Sequence, residues 1–232
     1  MKLFLDTADV DEISKAHKTG LLSGVTTNPT LMRKCGFEPM DVYQEIIDMG
    51  VPDVSMEVVG SADEMLEQAL MLREKFGPAC TIKVPCTWDG LKVCRDFKAH
   101  GYVSRTGKRE DWFSEDYRVN VTLIFSASQA ILAAQAHATY VSPFVGRWND
   151  ESVSGTAVVQ TIADIYAQHK QKTKVLAASV REVYQVGRCF AAGADICTIP
   201  PHVFWGMMEH AKTREGLEQF QKDWDDVHGK NQ

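Results

Sequence analysis

One lysine stands where a buried strand should carry no charge. In Thr81-Ile82-Lys83-Val84-Pro85 the apolar Ile82 and Val84 share one parity of a strand, while Thr81 and Lys83 share the other. Lys83 therefore points into whatever that second face encloses. An ammonium group held in low dielectric loses solvation, which favours the free amine, the form that attacks carbonyls. A Schiff-base nucleophile is one reading of these five residues. A strand-end lysine that reaches water along its stem, or pairs with a carboxylate, is the other.

Polar groups at the ends of other β-rich runs bear on that choice. Asp6 ends the first run, Thr26 and Asn28 the second, Glu57 the third, Asn120 and Thr122 the fifth, and Ser179 the seventh. Asn120 and Thr122 alternate with Val121 and Leu123; Thr26 pairs in parity with Asn28, and Ser55 with Glu57. Period 2 sends the polar members to one face and the apolar ones to the other. Singly, Asp6 also suits a helix N-cap, Asn28 a turn before proline, Thr122 a strand filler and Glu57 a salt-bridge partner. Jointly they gather one amine and two carboxylates in a polar cavity, a costly way to obtain stability alone. Such a set suits amine chemistry on a hydroxylated carbonyl compound, with carboxylates to move protons and amides and hydroxyls to hold the substrate. Arg147 follows the sixth run, and Ser179 and Arg181 stand at the expected start of the next helix but one, where free backbone N–H groups favour a phosphate. Either arginine alone also fits a surface ion pair.

The elements that must position these groups are eight short β-rich runs alternating with helical patterns: 2–5, 23–27, 53–59, 80–85, 119–125, 139–145, 174–178 and 195–199. Helices are expected from the Thr7–Asp9 cap to Gly20, over 39–49, over 61–76 behind a Ser61-Ala62-Asp63-Glu64 capping box with Met65, Ala69 and Leu72 inward, and over 89–100. Further helices follow Ser126 or Ser128, run to about His169, span 180–190 and lie near 202–211. Residues 32–38 and 147–154 read as loops, and 101–118 as a surface excursion. The last helix, 214–227, is amphipathic, with Leu217, Phe220 and Trp224 at i, i+3, i+7. That stripe packs equally well on the chain's own barrel or on a neighbour. Eight βα units in 232 residues predict the α/β class, a single-domain (β/α)8 TIM barrel over 1–232. No GxGxxG follows a strand, which disfavours a dinucleotide fold.

A formal net charge of −6 argues against nucleic-acid and anionic-membrane partners. The six cysteines include no CxxC pair, so reduced thiols in a cytoplasm are expected rather than disulfides, and the seven histidines show no zinc-ligand spacing. Neither a signal-like start nor a long apolar span appears, and a soluble cytoplasmic protein is expected.

The chain resembles the small single-domain transaldolase family, which includes the fructose-6-phosphate aldolases. The resemblance rests on Leu3-Phe4-Leu5-Asp6-Thr7-Ala8, Gly24-Val25-Thr26-Thr27-Asn28-Pro29, Ile82-Lys83-Val84-Pro85, the run from Val119 to Ser126, Tyr140 to Arg147, and Val175 to Arg181. It runs from Met1 to near Trp224. It implies transfer of a dihydroxyacetone unit from a ketose phosphate (sedoheptulose 7-phosphate or fructose 6-phosphate) to an aldose phosphate, in the non-oxidative pentose phosphate pathway, with no metal or organic cofactor. Lys83 would form the Schiff base, Asp6 would take the C4 hydroxyl proton, and Glu57 and Thr122 would position the water that shuttles protons. Asn28 and Asn120 would hold the dihydroxyacetone hydroxyls beside Thr26, and Arg147, Ser179 and Arg181 the phosphate. The resemblance also implies a homo-oligomer, a pentamer or decamer. The family's aldolases carry glutamine and tyrosine where this chain has Glu57 and Phe144; its transaldolases carry glutamate and phenylalanine, as here. The rivals are a fructose-6-phosphate aldolase on the same scaffold and a non-catalytic phosphate-ligand binding barrel. The long 101–118 excursion departs from the family pattern.

Overall fold

A computed structural model describes residues 1–100 and 116–229. Among these residues eight parallel strands close into a barrel in chain order: β1 (Lys2–Asp6), β2 (Gly24–Thr26), β3 (Val54–Glu57), β4 (Cys80–Pro85), β5 (Arg118–Ile124), β6 (Tyr140–Pro143), β7 (Lys174–Ala177) and β8 (Ile196–Ile199). The helices around it are α1 (Val10–Lys18), α2 (Pro29–Cys35), α3 (Pro39–Asp48), α4 (Ala62–Phe76), α5 (Trp88–His100), α6 (Ala127–Gln135), α7 (Val145–Asp150), α8 (Gly155–Gln168), α9 (Val183–Ala191), α10 (Pro201–Gly206) and α11 (Ala211–Gly229). This is the expected (β/α)8 barrel. The expected excursion lies outside the described residues except at its end, where Arg118 already opens β5.

Alternation does the sorting. Val54, Met56, Ile82, Val84, Val119 and Val121 are buried in the main core between strands and helices, each worth about 1.5–3 kcal/mol of transfer free energy. Inside the barrel a smaller cluster of Phe4, Tyr140, Leu176, Ala178 and Ile196 forms a plug, with Phe144 packed against it. Gly24 makes room for it: a Cβ there would lie 2.6 Å from the Phe4 ring and 2.7 Å from the Asp53 carbonyl oxygen. Asp53 accepts from Thr81 and from Tyr140, both at 2.7 Å, and pairs with Arg118 at 3.2 Å. The polar cavity must therefore open at the other end, where the strands finish.

The helix starts follow capping chemistry. Ser61 and Glu64 form the expected capping box, with the Ser61 N–H donating to Glu64 Oε2 at 2.7 Å, and Met65, Ala69 and Leu72 are buried. Asp9 caps α1 by accepting from Glu12 N at 3.1 Å, which leaves Asp6 free of that duty.

Four expectations change. The supposed loop over 32–38 is largely α2, because Asn28 is its N-cap, Pro29 its first residue and Gly36, at φ 75°, its left-handed C-cap. The supposed loop over 147–154 begins as α7, a helix of poor formers held by tertiary bonds: Trp148 Nε1 donates to the Phe125 carbonyl at 3.1 Å, and Asn149 Oδ1 accepts from Gly155 N at 3.0 Å. β6 consequently ends at Pro143. In β5, Val121 pairs with Val141 but Ile124 with Pro143, so one extra residue bulges out and Leu123 adopts φ 59°. That bulge breaks the expected parity and turns Leu123 toward the cavity instead of the outer face.

α11 buries no residue, and Leu217, Phe220 and Trp224 are 62, 70 and 62 % exposed. The stripe does not pack on the chain's own barrel. No helix among the described residues is long and apolar enough to cross a membrane, and all six cysteines are free thiols.

Candidate active site

Register brings the chemistry together. Lys83 is the Cα partner of Glu57 across β3–β4 and of Asn120 across β4–β5, while Thr26 is the partner of Asp6 on one side and of Ser55 on the other. Residues directly opposite on neighbouring strands share a face, so these side chains ring the barrel interior. Apart from Ser55, which lies beneath Asn120, they line a cavity of about 580 Å³ at the strands' C-terminal ends, as do Asn28, Thr122, Phe144, Arg147, Ser179 and Arg181. The residues singled out in the sequence thus converge on one cavity.

Lys83 Nζ lies 3.0 Å from Glu57 Oε2 and donates to the Thr27 carbonyl at 2.9 Å, with both charged side chains largely buried. An ammonium has three donors, so one remains for the cavity. Asp6 Oδ1 accepts from Thr26 Oγ1 at 2.8 Å, and the Thr26 hydroxyl is itself bonded to that of Thr198. Burial pushes the Asp6 carboxyl above its ordinary range; the Lys83 charge and the Thr26 hydrogen bond pull it part of the way back. Asn120 is held at both ends, donating to Ser55 Oγ at 3.3 Å and accepting from Ser142 Oγ at 2.6 Å. Asn28 spends its Oδ1 on the Leu31 N–H at 3.0 Å, capping α2, and keeps its amide N–H donors for the cavity it lines. Thr122 Oγ1 is buried with no hydrogen-bond partner among the described residues, an orphan that a ligand or water in the cavity would satisfy.

The rim is cationic but unevenly so. Arg147 lies over the Phe144 ring, 4.8 Å from its centroid. Arg181 is instead forked onto Asp150, with Nη2 2.8 Å from Oδ2, the surface ion pair that its sequence also allowed. Ser179 sits at φ 56° in the connection, and α9 begins only at Val183, so Ser179 and Arg181 precede the helix rather than open it. The N–H groups of Arg181 and Glu182 donate to Gln185 Oε1 at 2.9 and 3.3 Å, which takes them away from an anion. The expectation of a phosphate on the start of that helix is corrected accordingly, and the side chains remain.

Sequence reasoning missed Ser142, Thr198 and Lys34, which also line the cavity. Parity along Tyr140-Val141-Ser142 and Ile196-Cys197-Thr198 would have given the first two. Lys34 escapes parity because its stretch reads as a loop in the sequence, where no face exists to count along.

Fold and site define a class: a closed parallel (β/α)8 barrel with a buried strand lysine set among carboxylates and amides at the strand ends, beneath a cationic rim. The model of the family described as Transaldolase/Fructose-6-phosphate aldolase matches residues 3–231, and the chain belongs to that family. It is 42 % identical over 225 residues to a "Probable transaldolase" of Cereibacter sphaeroides, covering 97 % of this chain and 95 % of that one. A second protein so called, from Paracoccus denitrificans, is 43 % identical, with 97 and 96 % covered, and a third, from Nitrosopumilus maritimus, is 42 % identical, with 100 and 98 % covered. Among solved structures, thiamine phosphate pyrophosphorylase from Pyrococcus furiosus superposes with a TM-score of 0.54 at 14 % identity, covering 86 % of this chain and 85 % of its own, a likeness of fold alone.

The raised Asp6 carboxyl carries a stability consequence. Between the unfolded carboxyl range near pH 4 and its higher folded value, the folded state keeps a proton that the unfolded state has lost, so stability falls as pH rises through that window. Asp6→Asn removes the penalty. Urea titrations should find the variant more stable than the parent at neutral pH, with the difference vanishing toward pH 3; a difference independent of pH would contradict the assignment.

Proposed function

We propose that this protein is a transaldolase that moves a dihydroxyacetone unit from a ketose phosphate to an aldose phosphate through a Schiff base on Lys83. The observation that carries the reading is the placement of the Lys83 amine, buried, in register between Glu57 and Asn120, and facing the cavity that Asp6 and the orphan hydroxyl of Thr122 share.

In this scheme the Lys83 amine adds to the donor's C2 carbonyl and water leaves, giving an iminium. Asp6 takes the C4 hydroxyl proton, the C3–C4 bond breaks into the iminium, and an aldose phosphate departs. The raised proton affinity of Asp6 suits a group that must give the proton back when the enamine attacks the next aldehyde. Glu57 and Thr122 hold the water that enters and leaves with the Schiff base. Asn28 and Asn120 present amide groups to the hydroxyls of the three-carbon unit, beside Thr26, and Arg147, Ser179 and Arg181 take the phosphate. The scheme asks for no metal or organic cofactor, and its setting is the non-oxidative pentose phosphate pathway in the cytoplasm. Borohydride with fructose 6-phosphate should trap a three-carbon adduct on Lys83 by peptide mass mapping, and Lys83→Ala should lose turnover while folding normally; an adduct on another lysine would sink the mechanism.

Transfer is favoured over simple cleavage by two residues. Phe144 has no hydroxyl with which to deliver a proton to the enamine, and Glu57 as a carboxylate offers acceptors, where a glutamine would add donors. The enamine then survives until an acceptor arrives. Transfer to erythrose 4-phosphate should accordingly run much faster than release of free dihydroxyacetone without acceptor, and Phe144→Tyr with Glu57→Gln should raise the cleavage share. Equal rates in the parent protein would assign it to the aldolases instead.

The exposed stripe of α11 supports a homo-oligomer, a pentamer or decamer by family resemblance, in which a second copy covers Leu217, Phe220 and Trp224. Light scattering at micromolar concentration should give a multiple of the chain mass. A monomer would reject this assembly.

A further inference from the structure

We propose that Asp150 is an internal competitor for the anion site, a carboxylate that occupies the Arg181 guanidinium until a phosphate dianion displaces it, and so sets how tightly phosphorylated substrates are held. The proposal rests on the reading of Arg147, Ser179 and Arg181 as phosphate ligands.

α7 carries both sides of the balance. Arg147 lies in its first turn and faces the cavity without an ion-pair partner among the described residues, while Asp150 closes the same helix and takes the terminal nitrogens of Arg181. The fork is bidentate, yet its two side chains are 50 and 53 % exposed. Water screens a pair so placed, and holding it closed is a weak preference that a dianion on the cavity side overcomes. The rest of Arg181 is anchored independently of Asp150. Its N–H donates to Gln185 Oε1 at 2.9 Å, and its carbonyl oxygen lies 3.3 Å from His202 Nε2. Gly146 lets the side chain lie against α7, because a Cβ there would come within 2.8 Å of Arg181 Nε and 2.3 Å of the Ser179 carbonyl oxygen. The Arg181 backbone is thus held at the rim whether or not the carboxylate takes the guanidinium.

Arg147 and Arg181 face the phosphate end, and the Asp150 carboxylate offsets them. Exchange of Asp150 for phosphate on Arg181 leaves the carboxylate on the same short helix, where it continues to repel the bound dianion. The effect follows charge and not carbon skeleton, so it acts on phosphorylated substrates and spares neutral ones. It weakens ground-state binding remote from the bond being broken and speeds departure of the phosphorylated product.

The test uses inorganic phosphate as the probe, through its direct binding to the whole protein by calorimetry and through competition with the phosphorylated acceptor. Asp150→Asn, which keeps shape and removes charge, should tighten phosphate binding about fivefold and lower KM for erythrose 4-phosphate in proportion, with KM for unphosphorylated glyceraldehyde unchanged. Asp150→Glu should behave like the parent. In an Arg181→Ala background the Asp150→Asn gain should largely disappear. Weaker or unchanged phosphate binding in Asp150→Asn, where Arg181→Ala does weaken the parent, overturns the proposal alone and makes Asp150 a support for Arg181. A parent that binds no phosphate, or binds it equally well as Arg181→Ala, overturns the anion-site reading and this proposal with it.

Discussion

An ammonium group inside a parallel barrel has to be answered by oxygen atoms within about 3 Å, because the cost of leaving it bare is several kcal/mol. At Lys83 the answer comes from strands on one side: the Glu57 carboxylate of β3 and the Thr27 carbonyl just past the end of β2. Much else follows from that requirement. The β3–β4 register must place Glu57 opposite Lys83, and a slip of one residue would carry the carboxylate into the apolar layer. The plug of Phe4, Tyr140, Leu176 and Ile196 keeps the other end of the barrel filled, so the charged pair meets solvent from one side only.

The two carboxylates near the amine do different things because they stand in different surroundings. Glu57 is an ion-pair partner of Lys83. Asp6 has a hydroxyl from Thr26 and a more distant pull from the lysine, too little to offset its burial. One carboxylate is thereby spent on holding charge, and the other is left able to exchange a proton. Such a division between two like groups is what acid–base work at near-neutral pH requires.

Much of this was legible in the sequence because two of its codes are local. Period-2 alternation put Thr26, Glu57, Lys83, Asn120 and Thr122 on one face without knowledge of neighbours, and the Ser61/Glu64 capping box announced α4. What could not be read depended on contacts distant in sequence. α7 contains Gly146, Asn149 and Asp150, poor helix formers, and is held by bonds from Trp148 to Phe125 and from Asn149 to Gly155. The Leu123 bulge exists because β5 and β6 advance by different numbers of residues, which no single strand reveals. The α2 misreading is of another kind: Asn28-Pro29 reads as a strand exit, although the same pair is a good N-cap and first helical residue. The ion pair of Arg181 could be anticipated as a possibility, but its partner, on a helix read as loop, could not be chosen.

Asn28 closes one end of α2 with its carbonyl and turns its amide toward the cavity. Few side chains satisfy both demands. Aspartate or serine would keep the helix start but lose the paired donors, and glutamine would keep the donors but, being longer, loosen the cap. Substitution at this position therefore costs on two counts, the helix start and the donors presented to the cavity. The helix it starts also carries Lys34 to the rim, so an error there would reach a charge six residues away as well as the group it replaced.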